Sequence, residues 1–185
     1  MKDKPEHAWT TGIIMQHLAD SSRVLAELTA SMVYDNVELL KPLIEVSLLD
    51  EDPWSQRASR VIRICGCRFP ELFRPHCSPI LKRLNGIKSE GVIRNFLRII
   101  EDNTLHLTKK DKSILLNLCF DYLTGNFSVA LKVYSMQILY NLSLDIPEIG
   151  VELSRLIEQN LPDSSPGYRS RGEKILKKLH RNSFR

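Results

Sequence analysis

Residues 37–64 read VELLKPLIEVSLLDEDPWSQRASRVIRI, a stretch of two helical patterns divided by a short turn. In its first half Leu39, Leu40, Leu43, Val46 and Leu49 recur at intervals of three and four, which places them on one stripe of a helix. Asp50–Pro53 interrupts the pattern, as Asp and Pro do where a helix ends and the chain turns. From Trp54 the same spacing resumes through Ala58, Val61, Ile62, Cys65 and Phe69. A break this short joins two helices that pack antiparallel.

Outward from this pair the chain repeats itself. Val61, Ile62 and Cys65 match Phe96, Leu97 and Ile100, then Ile138, Leu139 and Leu142, then Ile175, Leu176 and Leu179; upstream the matching triplet is Val24, Leu25 and Leu28. The first members lie 37, 35, 42 and 37 residues apart. Three residues before the triplets stand Ser21, Ala58, Ile93, Ser135 and Gly172, four of them small enough to let a neighbouring helix approach. Pro42 and Pro79 lie 37 apart, each inside a helical pattern that it is expected to kink or break. No segment alternates apolar and polar residues between turn pairs, so about ten helices and almost no sheet are expected. A period in the high thirties with two helices per unit is the signature of an α-solenoid.

These residues resemble HEAT repeats, with armadillo repeats as near relatives. Residues 37–64 carry the pattern best: a Pro-containing first helix, an acidic turn, and a basic residue opening the second helix. The family's Asp and Arg, six apart, are matched by Asp163 and Arg169, by Glu51 and Arg57 in carboxylate form, and by Asn126 and Lys132 in neutral form; Lys88 before Arg94 departs from it. The resemblance implies an all-α, right-handed α-α superhelix of about five antiparallel helical pairs. One domain over 1–185 would hold units of roughly 5–33, 36–68, 70–103, 108–145 and 147–182. It also implies that second helices line a concave face.

The 185 residues are 43% hydrophobic and 26% charged, the composition of a globular chain rather than a disordered one. No apolar run approaches the roughly 18 residues of a membrane helix. The opening MKDKPEHAWTTGIIM has no apolar core of a signal peptide, and four cysteines set within apolar patterns read as reduced thiols, so a cytoplasmic location without membrane contact is expected. The net charge of +4 is bland, but its distribution is not. Residues 53–100 hold ten Lys/Arg against Glu71 and Glu90, a net of +8, whereas 1–52 carry −6, 101–148 carry −2 and 149–185 carry +4.

That segregation makes Arg57, Arg60, Arg63, Arg94, Arg98, Lys132 and Arg169 the candidate partner-binding residues, a cationic strip along the second helices. The expected function is a non-catalytic scaffold or adaptor that binds a protein, an acidic one by charge, through this face. The alternative is nucleic-acid binding, related in fold to the HEAT-like alkylation-repair glycosylases, whose basic concave face uses Trp, Asp and Arg. Against the glycosylase form, Trp9 and Trp54 have no Asp placed beside them in a recognisable motif. The bland reading of the arginines is that they tie inter-repeat turns to acids such as Glu51 and Asp163, or face solvent.

Catalytic signatures are missing from the sequence. His7, His17, His76, His106 and His180 are scattered, and no phosphate loop, nucleophile elbow or paired-carboxylate motif occurs. The Ser-rich catalytic loop of adenylosuccinate lyases has no counterpart beyond Ser164–Ser165–Pro166–Gly167. Cys65, Cys67, His76 and Cys77 lack the Cys-x-x-Cys spacing of a strong zinc site, so neither metal nor cofactor is expected. The basic amphipathic segment 169–185 completes the fifth unit as a cap, and self-association of the acidic first quarter with the basic second is left open.

Overall fold

The computed structural model describes residues 11–182, with side chains for 14–181. Ten helices follow one another: α1 (Thr11–His17), α2 (Arg23–Asp35), α3 (Leu40–Ser47), α4 (Trp54–Arg68), α5 (Arg74–Leu84), α6 (Glu90–Asn103), α7 (Lys109–Thr124), α8 (Val129–Ser143), α9 (Pro147–Asn160) and α10 (Pro166–Asn182). There is no strand among the described residues. Consecutive helices pack as pairs at α3/α4, α5/α6, α7/α8 and α9/α10, while α1 packs chiefly against α3. Residues 5–10 of the first expected unit, and Trp9 with them, lie outside the described residues.

The second members form a continuous row, α2–α4–α6–α8–α10, each packed on its neighbours. The first members contact one another less extensively. In a stack of two rows, the more closely spaced row lines the inside of the curve, so the second helices present the inner face. The core runs along this row as an unbroken cluster, with Val61, Ile62, Phe96, Leu97, Ile138, Leu139 and Ile175 all fully buried. Each such side chain contributes about 1.5–3 kcal/mol by leaving water.

Hydrogen bonds between units preserve the sequence period. Asn95 donates to Ser59 Oγ across 36 residues, Arg83 to the Leu48 carbonyl across 35, and Arg171 to Gln137 Oε1 across 34. The turns are joined by carboxylates. Asp50, at φ 59°, accepts from the backbone N–H groups of Lys88 and Ser89 at 2.9 and 3.0 Å, and Glu90 accepts from that of Ser128 at 3.0 Å. Asp tolerates this left-handed conformation better than most residues, and a charged acceptor strengthens the bonds it receives.

Close approach within the stack depends on small residues. A Cβ on Gly172 would stand 2.8 Å from Ile157 Cγ2 and 3.3 Å from Leu161 Cδ1, so α9 and α10 meet only because that side chain is absent. Helix starts follow local chemistry: Ser22 caps α2 by accepting from Leu25 N–H, and Thr108 caps α7 by accepting from Asp111 N–H. The buried Asp111 carboxylate is in turn satisfied by the hydroxyls of Ser78 and Thr108.

Three details differ from the sequence reading. Val24 and Leu28 are 68% and 59% exposed, and α2 buries Ala26, Thr29, Ala30 and Val33 instead. The first unit is therefore rotated relative to its apparent triplet, because small residues on the other face fit closely against α4. Leu49 is exposed and Leu48 buried, since α3 ends at Ser47 and the chain leaves helical phase there. Neither proline breaks its helix. Pro42 lies in the first turn of α3, after a 3-10 turn at Val37–Leu39, where a missing N–H costs nothing, and α5 continues through Pro79.

Candidate binding cleft

Where α2, α4 and α6 begin side by side, the inner row opens into a cleft of about 550 Å³. Arg57, Arg60, Arg63 and Arg94 line it together, drawn from two units that the sequence separates by 37 residues. Their positions follow from the helical period: on α4 the residues 57, 60 and 63 share one flank, and stacking α6 on α4 brings Arg94 alongside.

The four arginines are held differently. Arg57 donates from Nη1 to the carbonyls of Leu18 and Ala19 at 2.8 and 2.6 Å, and its guanidinium lies 5.5 Å from the Trp54 ring centroid. Arg60 donates from Nη1 to the Ser21 carbonyl at 2.7 Å. These two tie the α1–α2 turn of the first unit to α4 of the second, through backbone carbonyls and not through Glu51. A carbonyl orients a guanidinium without neutralising it. Arg63 and Arg94 make no hydrogen bond or ion pair with any described residue.

Two carboxylates share the cleft. Asp20 Oδ1 accepts from the backbone N–H of Ser22 at 2.6 Å, and hydrogen bonding from Ser22, with a smaller contribution from Arg57, holds its carboxyl below the usual aspartate range. Asp52 Oδ2 accepts from Gln56 Nε2 at 2.7 Å. Neither forms an ion pair with an arginine of the cleft.

The remaining candidates lie elsewhere. Arg98 is paired with Asp102 at 2.7 Å and Glu101 at 3.6 Å on its own helix, so its charge is neutralised locally. Lys132 is half-buried on α8 and has no described partner. Arg169 donates to the Pro162 carbonyl at 3.1 Å rather than to the Asp163 carboxylate. The structure thus brings four of the seven together and leaves three apart. Farther along the inner face, Lys178 lies 5.0 Å from the Tyr140 ring centroid, while burial pushes the Glu101 carboxyl up despite the neighbouring Arg98.

His17, Asp20 and Asp52 in the cleft were not anticipated. The period held the signal: the turn at residues 18–22 precedes Arg57 and Arg60 by 35 to 42 positions, about one repeat. The cysteines are free thiols, with Cys65, Cys77 and Cys119 buried and Cys67 exposed. Among the described residues no group of three His, Cys, Asp or Glu is placed to hold a metal ion, and no helix is long and apolar enough to cross a membrane.

No curated protein and no solved structure matches the chain significantly. A family model described as a HEAT repeat domain matches residues 18–179, most of the chain and nearly all of the described helices. The repeat period, the two-row stack and this match lead to one conclusion: the chain belongs to the HEAT repeat family.

Proposed function

We propose that this HEAT repeat chain is a non-catalytic scaffold that binds an acidic protein partner through the inner face of its second helices. The five helical units act as one domain in this reading. Arg57, Arg60, Arg63 and Arg94 form the centre of the surface, and Lys132 and Arg169 extend it, whereas Arg98 is neutralised on its own helix. The carrying observation is that, among the described residues, no carboxylate is paired with the four clustered arginines. Two are oriented by carbonyls and two are unengaged, so the field of the cleft remains directed at whatever enters it. Family membership supports the scaffold class, because stacked helical pairs create an extended concave surface suited to holding another macromolecule.

The test uses the purified chain and an Arg63→Glu/Arg94→Glu variant as parallel baits. Arg57 and Arg60 are left intact, because reversing them would release the turn at residues 18–22. The expected result is an acidic protein held by the wild type, weakened by added salt and lost on the variant at unchanged circular dichroism. Nucleic acid recovered in place of protein, or the same proteins on both baits, would contradict the reading.

A further inference from the structure

The cleft is more selective than a generally basic surface would be. Four guanidiniums face two carboxylates, so these six side chains carry a surplus of two positive charges. A single carboxylate would satisfy half of that surplus. A phosphate monoester brings about −1.5 to −2 at neutral pH, with three acceptor oxygens. Guanidinium forks match those oxygens geometrically. Arg57 and Arg60 are already immobilised on carbonyls and lose little freedom on binding, while Arg63 and Arg94 hold unengaged donors.

The cleft also leads onward. Arg60 and Arg63 line a second, open groove of about 810 Å³ between α2 and α4, which continues past Tyr34, Cys67 and Arg68. A ligand that places an anionic group between α4 and α6 can therefore extend chain along that groove. A small soluble phosphate ester would leave it empty.

From this geometry we propose that the Arg57–Arg60–Arg63–Arg94 cleft is a receptor for a phosphomonoester dianion carried on a phosphorylated side chain of the protein partner. The proposal rests on the scaffold reading and specifies the chemical mark that the partner bears.

Phenyl phosphate and phenyl sulfate test the charge requirement, titrated into the full chain and followed by the 15N-labelled arginine side-chain resonances. At pH 7.5 the phosphate is expected to bind about tenfold more tightly than the singly charged sulfate. The gap should narrow toward pH 5.5, as the second phosphate proton returns near pH 6. Arg63→Gln/Arg94→Gln should weaken phosphate binding at least tenfold with the fold intact, while Arg74→Gln/Lys82→Gln on α5 should not. A five-residue peptide with central phosphoserine should bind more tightly than phenyl phosphate and shift resonances around Cys67. Equal affinity for phosphate and sulfate, or tighter binding of adenosine monophosphate or a single-stranded oligonucleotide, would overturn the proposal. Oligoglutamate provides the separate check: if it binds while phosphate shows no preference, the scaffold reading stands and this inference falls. If nothing anionic binds, both fall.

Discussion

Gly66 is the position at which the stacking of the inner row is most exposed to a single atom. It lies near the end of α4, and a Cβ built there would stand 2.8, 3.0 and 3.2 Å from Cγ1, Cγ2 and Cδ1 of Ile99 on α6. Carbon atoms prefer about 3.5–4.0 Å, so Gly66→Ala requires roughly 0.7 Å of local separation. Ile99 is 1% exposed, so its side chain cannot move aside into solvent. Overpacking of this kind costs about 1–3 kcal/mol, offset by up to about 1 kcal/mol from replacing a helical glycine. The net expectation is a loss of about 1 kcal/mol, read as a fall of roughly 2–4 °C in Tm for a chain of this size. Urea unfolding followed by circular dichroism measures it, together with Ile99→Ala and the double variant. Ile99→Ala alone should cost about 2–5 kcal/mol. In the double variant the alanine methyl occupies part of the vacated space, so the effects should fall short of additivity by about 1 kcal/mol. A stabilised Gly66→Ala protein with additive energies would refute close helix contact at this point.

Other consequences follow from the turns, the thiols and a half-buried histidine. Asp50→Ala should lose about 2–4 kcal/mol in chemical denaturation, because it removes the acceptor for Lys88 and Ser89 N–H and puts at φ 59° a residue that tolerates the left-handed region less well than Asp; Asp50→Asn should lose about half as much. Burial pushes the thiols of Cys65 and Cys119 up to about 12 and that of Cys77 to about 11, so a disulfide reagent at pH 8 should titrate one thiol rapidly in the native protein. That thiol is the exposed Cys67, and Cys67→Ser should abolish the fast phase. Burial, and secondarily the Lys41 ammonium, hold His76 below its ordinary pKa. The unfolded chain therefore binds the proton more readily, and the stability due to the neutral ring is lost as pH falls below about 6.5. His76→Gln should show a smaller drop in Tm between pH 7.5 and 5.5 than the wild type, whereas parallel curves would exclude this residue.

Helix number, helix boundaries and the period were legible in the sequence because apolar spacing and turn chemistry act locally. The stripe through Val61, Ile62 and Cys65 is buried as read, and the break at Asp50–Pro53 falls where α3 gives way to α4. The first triplet was misleading for a physical reason. Val24 and Leu28 have apolar spacing, but α2 meets α4 through Ala26 and Ala30, whose small side chains carry little pattern signal. The cleft was half legible. Charge counting found Arg57, Arg60, Arg63 and Arg94, yet could not distinguish Arg98, which is neutralised one helical turn away by Asp102. Nor could it show that the partners of Arg57 and Arg60 are carbonyls, because a backbone acceptor leaves no trace in residue type.

The central claim is that Arg63 and Arg94 hold charge that the fold does not use. Its most direct test is the free energy of unfolding of Arg63→Gln/Arg94→Gln against the wild type, in low salt and without ligand. No loss is expected, and a gain of up to about 0.5 kcal/mol as like-charge repulsion in the cleft is relieved. A loss of more than about 1 kcal/mol would contradict it, because such a loss would mean that these arginines stabilise the stack and are not held in reserve for a partner.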